Sequence, residues 1–175
     1  MCEFCHHDPE YSNDENKFFN EVAKAPIMIN GIKAANLILS GNWSNETDGP
    51  VLNAELFGYE CDPLLAAIML PINYCPICGK RLIENSVDVS LGECARCMHD
   101  PEVSDNEAEF LSELGYTDIK MNGMTVGRIF VSMENRAEKG AYLDVELFGM
   151  PSGQPQIADI EYPIHYCPFC GKKLD

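Results

Sequence analysis

Alternation of apolar and polar side chains is the clearest pattern along this chain, and it occurs twice. Two Asn-Gly pairs, at 30–31 and 122–123, lie between apolar runs and are typical of the tight turn of a β-hairpin. Residues 52–56 and 143–147 alternate apolar with polar side chains, which predicts strands with one buried and one wet side. The predicted strands lie near 26–29, 32–40, 52–56 and 66–74, and near 118–121, 124–133, 143–147 and 157–166.

A short helix is predicted ahead of each set of strands. Ser12 and Glu15 have the spacing of a capping box, in which two side chains satisfy the first backbone N–H groups of a helix, and Ser104 and Glu107 repeat it. The predicted fold class is therefore α+β. It consists of two tandem similar modules, each a short acidic helix on a small antiparallel sheet that a four-cysteine zinc site clamps.

The two sets of predicted elements are repeats of one sequence unit. Most landmarks recur 92 positions later, as when Cys2 returns as Cys94. The Glu-Leu-Phe-Gly run at 55–58 returns at 146–149, one residue out of step, which predicts compensating insertions and deletions in loops. This is the signature of a tandem duplication. The predicted organisation is a first repeat at 1–83, a linker at 84–93 and a second repeat at 94–175.

Cysteine pairs open and close each repeat. The closing pair lies in a Cys-Pro-x-Cys-Gly segment, the closing knuckle, at 75–79 and again at 167–171. Proline stiffens the turn, and glycine supplies the positive φ that lets backbone N–H groups face the sulfurs. Two such pairs complete a tetrahedral site, which predicts two structural zinc ions. The predicted ligands are Cys2, Cys5, Cys75, Cys78, Cys94, Cys97, Cys167 and Cys170.

Two alternatives concern the metal and its ligand pairing. Iron competes with zinc because rubredoxin-type proteins also use Cys-Pro-x-Cys-Gly loops, although the opening pairs here lack the following glycine. The 15 residues between Cys78 and Cys94 suit a ribbon that pairs the repeats with each other. Duplication favours pairing within each repeat, because a single ancestral unit had to close its own site. On that basis each repeat is expected to fold by itself.

Other candidate groups have a structural and a chemical interpretation. His7-Asp8 and His99-Asp100 follow the opening pairs and could supply a hydrolytic base beside the metal. Their repetition favours support of the metal site or a lead into the helix. The ninth cysteine, Cys61, has no repeated counterpart and is expected to be a loop thiol.

Charge restricts the partners that the chain can have. The formal net charge is −16, and two zinc–tetrathiolate centres would bring it to about −20. Such a charge repels nucleic acid and anionic membranes, so neither is expected as a direct partner. The chain has no long apolar run and no signal segment at its start, which favours the cytoplasm, where cysteines bind metal rather than form disulfides.

Acidic runs follow both opening pairs. They are either solvated helix faces that keep the protein soluble or an anionic surface that occupies a basic groove on another protein. The candidate partner-binding residues are Asp14, Glu15, Asp100, Glu102, Asp105, Glu107, Glu109 and Glu113.

Each repeat resembles small uncharacterised zinc-ribbon proteins that are common in bacteriophage and prophage genomes. The resemblance is carried by an early CxxC and by the closing Tyr-Cys-Pro-x-Cys-Gly-Lys-x-Leu at 74–82 and 166–174. It implies the cytoplasm of an infected bacterium and a protein that binds host machinery.

The predicted function is a non-enzymatic, zinc-stabilised inhibitor of a basic nucleic-acid-binding host protein. A defence nuclease, RNA-guided ones included, or a transcription component would suit. A generic structural or adaptor module is the first alternative, and a metal-dependent hydrolase is the second.

Overall fold

The computed structural model describes residues 2, 5, 19–44, 46–58, 63–83, 94, 96–97, 108–136, 138–150 and 156–174. Within these ranges the chain forms eight strands in two antiparallel sheets, each with its strands in chain order. The first sheet contains β1 (Phe19–Ile29), β2 (Ile32–Ser44), β3 (Gly49–Gly58) and β4 (Leu64–Pro71). The second contains β5 (Ala108–Met121), β6 (Met124–Arg136), β7 (Gly140–Gly149) and β8 (Gln156–Pro163).

Both predicted hairpin turns are present. Asn30 and Gly31 have φ angles of 51° and 78°, and Asn122 and Gly123 have the same two values. Positive φ at both central residues is the signature of a type I′ turn, whose twist matches that of the flanking strands. Each turn joins the first two strands of its sheet, so the strongest local signal in the sequence sets the register of each hairpin.

The α+β prediction is wrong, because the described part of the chain is all-β and contains no helix. The capping-box residues at 12, 15, 104 and 107 lie outside the described residues. The segments that the helices would have entered are strands instead, since β1 begins at Phe19 and β5 at Ala108. Each pairs with its neighbour along its length, and such tertiary pairing overrides a local helix signal.

The duplication is visible element by element. β2 and β6 both have 13 residues, β3 and β7 both have 10, and β4 and β8 both have 8. The connection after β2 has four residues and the one after β6 has three, whereas the connection after β3 is one residue shorter than that after β7. The out-of-step Glu-Leu-Phe-Gly motif is therefore explained by loop-length changes that leave the strands intact.

The two sheets share one hydrophobic core. Alternate residues of the central strands, such as Leu37 and Leu39 of β2 and Ile129 and Val131 of β6, are fully buried and belong to one cluster. The sheets meet where β4 contacts β5 and where β1 contacts β8. At the first contact a Cβ added to Gly115 would lie 3.6 Å from the side chain of Leu70. Sharing a core lets two small sheets exclude more water than either could alone.

The closing knuckles also join the repeats, through reciprocal hydrogen bonds. The backbone N–H groups of residues 73 and 74 both donate to the carbonyl of Pro168, each at 2.9 Å. Those of residues 165 and 166 donate to the carbonyl of Pro76, at 2.8 and 2.9 Å. Each knuckle makes the same contacts to the other, which is the pattern of a two-fold symmetric interface within one chain.

Two tyrosine–glycine contacts complete this interface. A Cβ added to Gly79 would lie 2.7 Å from the ring of Tyr166, and one added to Gly171 would lie 2.7 Å from the ring of Tyr74. Each glycine thus makes room for an aromatic ring of the other repeat. The repeat boundaries at 83 and 94 stay a prediction, and the linker at 84–93 lies outside the described residues. Over the described ranges, no helix has the length and apolar character that crossing a membrane requires.

Candidate metal centres

Each closing knuckle is a tight turn that presents its two sulfurs on one side. In the first, the N–H of Gly79 donates to the carbonyl of Cys75 at 2.9 Å, and the N–H of Cys75 donates to the carbonyl of Lys80 at 2.8 Å. Gly79 has a φ of 71°, which favours glycine, and Gly171 repeats it at 74°. The second knuckle has the same bonds at the same lengths, so the two turns are built alike.

Backbone N–H groups face the sulfurs, as the proline and glycine of the motif predict. A hydrogen bond with Cys5, followed by burial, raises the pKa of Cys75, and the amides of Ile77 and Cys78, which hydrogen-bond to its sulfur, offset part of that rise. The amides of Phe169 and Cys170 act in the same way on Cys167. Such amides stabilise a thiolate, which is the form of cysteine that binds metal.

The first candidate centre gathers the opening and closing pairs of the first repeat. The sulfurs of Cys2 and Cys75 are 3.5 Å apart, and those of Cys5 and Cys78 are 3.6 Å apart. All four sulfurs lie within 4.8 Å of one another. Zinc–sulfur bonds of about 2.3 Å in a tetrahedron place the sulfurs about 3.8 Å apart, so the observed spacing fits a metal ion.

The second candidate centre is assembled in the same way. The sulfurs of Cys94 and Cys167 are 3.9 Å apart, those of Cys97 and Cys170 are 3.5 Å apart, and all four lie within 4.8 Å. These distances are far longer than a disulfide bond, and all eight cysteines are free. The cysteine pairs are therefore grouped within each repeat, and among the described residues the closing pair of the first repeat does not meet the opening pair of the second.

Electrostatics favour a cation in both centres. Burial, followed by the charges of neighbouring sulfurs, raises the pKa of Cys97, and burial raises that of Cys167. In the first centre a hydrogen bond with Cys5, followed by burial, raises the pKa of Cys75. Four crowded thiols cannot all ionise without a compensating charge, and a divalent cation supplies it.

The two centres differ in exposure. In the second, all four cysteines are buried. In the first, Cys75 is fully buried, whereas Cys78 is exposed and Cys2 and Cys5 are half-buried. The guanidinium of Arg96 lies 4.4 Å from the ring centre of Phe169, beside the second centre. A planar cation stacked on an aromatic ring covers that side of the knuckle.

Two of the eight predicted partner-binding residues lie within the described part of the chain. Asp14, Glu15, Asp100, Glu102, Asp105 and Glu107 lie outside the described residues, as do Cys61 and both His-Asp pairs. Glu109 belongs to strand β5, and Glu113 is an exposed residue of the same strand. Glu113 was predicted to lie on the surface of a helix, but it lies on a strand of the second sheet.

Two features were missed from the sequence. The tyrosine that precedes each closing knuckle packs on the glycine of the other knuckle, and its repetition as Tyr74 and Tyr166 was the available signal. The second feature is a set of carboxylates on one face of the second sheet. Asp144 with Glu146, and Asp159 with Glu161, each stand two apart along a strand, so the period of a strand was the available signal.

The chain matches no protein-family model, no curated protein and no solved structure at the level where relatedness is recognised.

Proposed function

We propose that this protein is a non-enzymatic, zinc-stabilised acidic protein that binds a basic host protein and blocks its access to nucleic acid. The host protein would be a defence nuclease, RNA-guided ones included, or a transcription component, and the setting would be the cytoplasm of a phage-infected bacterium. The observation that carries the proposal is charge. A formal net charge of −16 on 175 residues makes a basic surface the natural counterpart.

Zinc is the proposed occupant of both four-cysteine centres. Thiolate sulfur suits zinc, and four sulfurs at these distances fill a tetrahedral coordination shell. A filled shell leaves no position for a water or a substrate, which supports a structural role over hydrolysis. Metal analysis of the purified protein should give two zinc ions per chain, whereas iron would show the absorption bands of a ferric tetrathiolate.

The experiment for the binding role is affinity capture from a bacterial lysate with the full, metal-loaded chain. Nuclease treatment removes bridging nucleic acid, and elution at low and then high salt sorts partners by charge. We expect a basic nucleic-acid-binding protein in the high-salt fraction, and we expect that protein to lose binding to its own nucleic acid as this chain is added. Partners that are retained regardless of salt, or that still bind nucleic acid, would favour the adaptor alternative.

A further inference from the structure

The outer face of the second sheet carries an unusual concentration of carboxylates. This outer face is defined by side chains that point away from the shared core: Glu113 of β5, Phe130, Ser132 and Glu134 of β6, Tyr142, Asp144 and Glu146 of β7, and Asp159 and Glu161 of β8. The cross-strand pairs place Asp144 between Ser132 and Glu161, and Ser132 is paired on its other side with Glu113. Glu146 is paired with Asp159 in the next row.

Asp144 is the buried centre of this set. The residue is only 8% exposed, and its Oδ1, like the Oδ1 of its counterpart Asn53, has no hydrogen-bond partner within the described ranges. Burial, with contributions from Glu146, Glu134, Glu161 and Asp159, raises the pKa of Asp144 to about 7. A buried carboxylate oxygen without a donor is costly, because it loses water and gains no hydrogen bond in exchange.

Neighbouring basic residues do not neutralise the centre of the face. Arg136 pairs with Glu134 at 2.6 Å, and Lys139 pairs with Glu161 at 2.7 Å. Over the described part of the chain, no cation forms an ion pair with Asp144, Glu146 or Asp159. Like charges opposite one another across strands are destabilising, so these carboxylates weaken the sheet that bears them.

The first repeat keeps Glu21 and Glu55 where the second has Glu113 and Glu146, but it shows that the fold does not need the other four acids. The positions equivalent to Glu134, Asp144, Asp159 and Glu161 are Asn42, Asn53, Ala67 and Met69, which are all uncharged. The two sheets have the same strands and the same pairing. Folding therefore does not explain the four added acids. A ligand that brings positive charge would explain them.

We infer that the outer face of the second sheet binds arginine side chains of a basic protein segment, and that it is the contact surface of the proposed function, on which this inference rests. A guanidinium donates several N–H groups in a plane and suits a buried carboxylate, Asp144, with the exposed acids Asp159 and Glu161 on the neighbouring strand. A metal ion suits the face less well, since the described carboxylates bring no three oxygens within 4.8 Å of one another.

The width of the outer face determines the length of the peptide that is used as a probe. A row across four strands spans about 14 Å at the usual strand spacing, which matches the length of about four extended residues. The probe is an acetylated, amidated tetra-arginine peptide, and tetra-citrulline is its uncharged counterpart of nearly the same shape. Both are titrated into the isotope-labelled, metal-loaded full chain at low salt. We expect saturable amide shifts in β6, β7 and β8 with tetra-arginine and none with tetra-citrulline.

The variant installs the residues of the first repeat, as Asp144→Asn with Asp159→Ala. Asn53 and Ala67 show that this sheet accepts both side chains. The matched control, Glu46→Gln with Asp48→Asn, removes the same charge from an exposed turn of the first repeat. We expect the first variant to weaken tetra-arginine binding at least tenfold and the control to change it less than twofold. Equal losses in both variants, or shifts confined to other parts of the chain, would overturn the inference.

A second measurement separates this inference from the proposed function. The Asp144→Asn/Asp159→Ala variant is used in the same capture from a lysate. Loss of the basic partner with this variant, but not with the control, supports the contact surface. A partner that is captured equally by both would refute the contact surface and leave the proposed function intact. If tetra-arginine binds at this face but no nucleic-acid-binding protein is captured, the proposed function would be refuted. The inference that the face binds arginine would still stand.

Discussion

The two repeats have equivalent residues in the shared core, the cysteine groups and the knuckle contacts. They differ in the charge of the outer faces of their sheets. Both place leucine, isoleucine and valine in the shared core, both close a four-cysteine centre, and both seat a tyrosine on the glycine of the other knuckle. On the outer faces the first repeat has Asn53 and Ala67 where the second has Asp144 and Asp159. Because one chain contains both versions of the sheet, the less acidic first sheet, which keeps only Glu21 and Glu55 at the outer-face positions that are acidic in the second, shows what folding requires. The more acidic second sheet shows what was added to it.

The metal centres make a second comparison. Both candidate centres gather four cysteine sulfurs within 4.8 Å of one another, but the second centre is wholly buried and the first exposes Cys78. Exposure governs how readily a chelator or an oxidant reaches a thiolate. The first centre is therefore expected to exchange its metal faster, although both support the same shared core.

Separating the repeats is expected to have the largest effect. Residues 94–175 alone would lose the neighbouring sheet and the ring of Tyr74, but the segment carries its own Tyr166 and Gly171. A second copy can supply the missing contacts by symmetry, so we expect a metal-loaded homodimer and no stable monomer. Sedimentation equilibrium measures this directly. A folded monomer would restore the earlier expectation that each repeat is self-sufficient.

Removing one metal ligand is the next largest change. Cys75→Ser and Cys167→Ser should each lower the zinc content from two ions to one. They should also cost a large part of the metal-coupled folding free energy, which is on the order of 10 kcal/mol for small sites of this kind. Because the core is shared, both repeats should lose thermal stability in either variant. Cys61→Ser is the control and should keep two zinc ions. Normal folding of either ligand variant in strong chelator would contradict a structural role for the metal.

The knuckle contact predicts an effect of intermediate size. Gly79→Ala and Gly171→Ala place a Cβ 2.7 Å from a tyrosine ring and also strain a positive φ, which together should cost roughly 2–4 kcal/mol. Gly31→Ala is a sharp control, since its φ of 78° is similar and no atom lies within 4 Å of the added Cβ. It should cost only about 1 kcal/mol. Urea unfolding of the three variants would measure these differences, and equal losses would show that the tyrosine contact contributes nothing.

Local signals were enough to predict the strands, the turns and the cysteines that form the two four-sulfur groups. The turn at Asn30-Gly31 depends only on the positive φ angles of those two residues. The placement of the sulfurs of Cys75 and Cys78 on one side depends only on the turn between them. The failures concern tertiary structure. The segments that follow the capping-box positions are strands, since β1 pairs with β2 and β5 pairs with β6. The acidic outer face depends on which residues stand opposite across strands, and register is not visible in a list of acids along the chain.

The smallest predicted effect concerns pH and tests the outer faces alone. Asp144 has a folded pKa of about 7 against an unfolded value of about 3.9, so its folded state binds the proton more tightly. Stability from this group is fully present below the unfolded pKa and is lost as pH rises through 7. Between pH 6 and pH 8, a window that avoids acid release of metal, the loss should be roughly 1 kcal/mol, or a few degrees in Tm.

Asp144→Asn should flatten this dependence and raise stability at pH 8, because the acids that face it from β6, β7 and β8 would no longer oppose a buried charge. The reverse change in the first repeat, Asn53→Asp, should create a new loss over a similar window, since Asn53 is only 4% exposed. Glu138→Gln, in an exposed turn, should leave the slope as it is. Thermal melts across the window would decide the matter. An unchanged slope in Asp144→Asn would mean that this carboxylate is solvated, and the difference between the two outer faces would then be one of charge alone and not of burial.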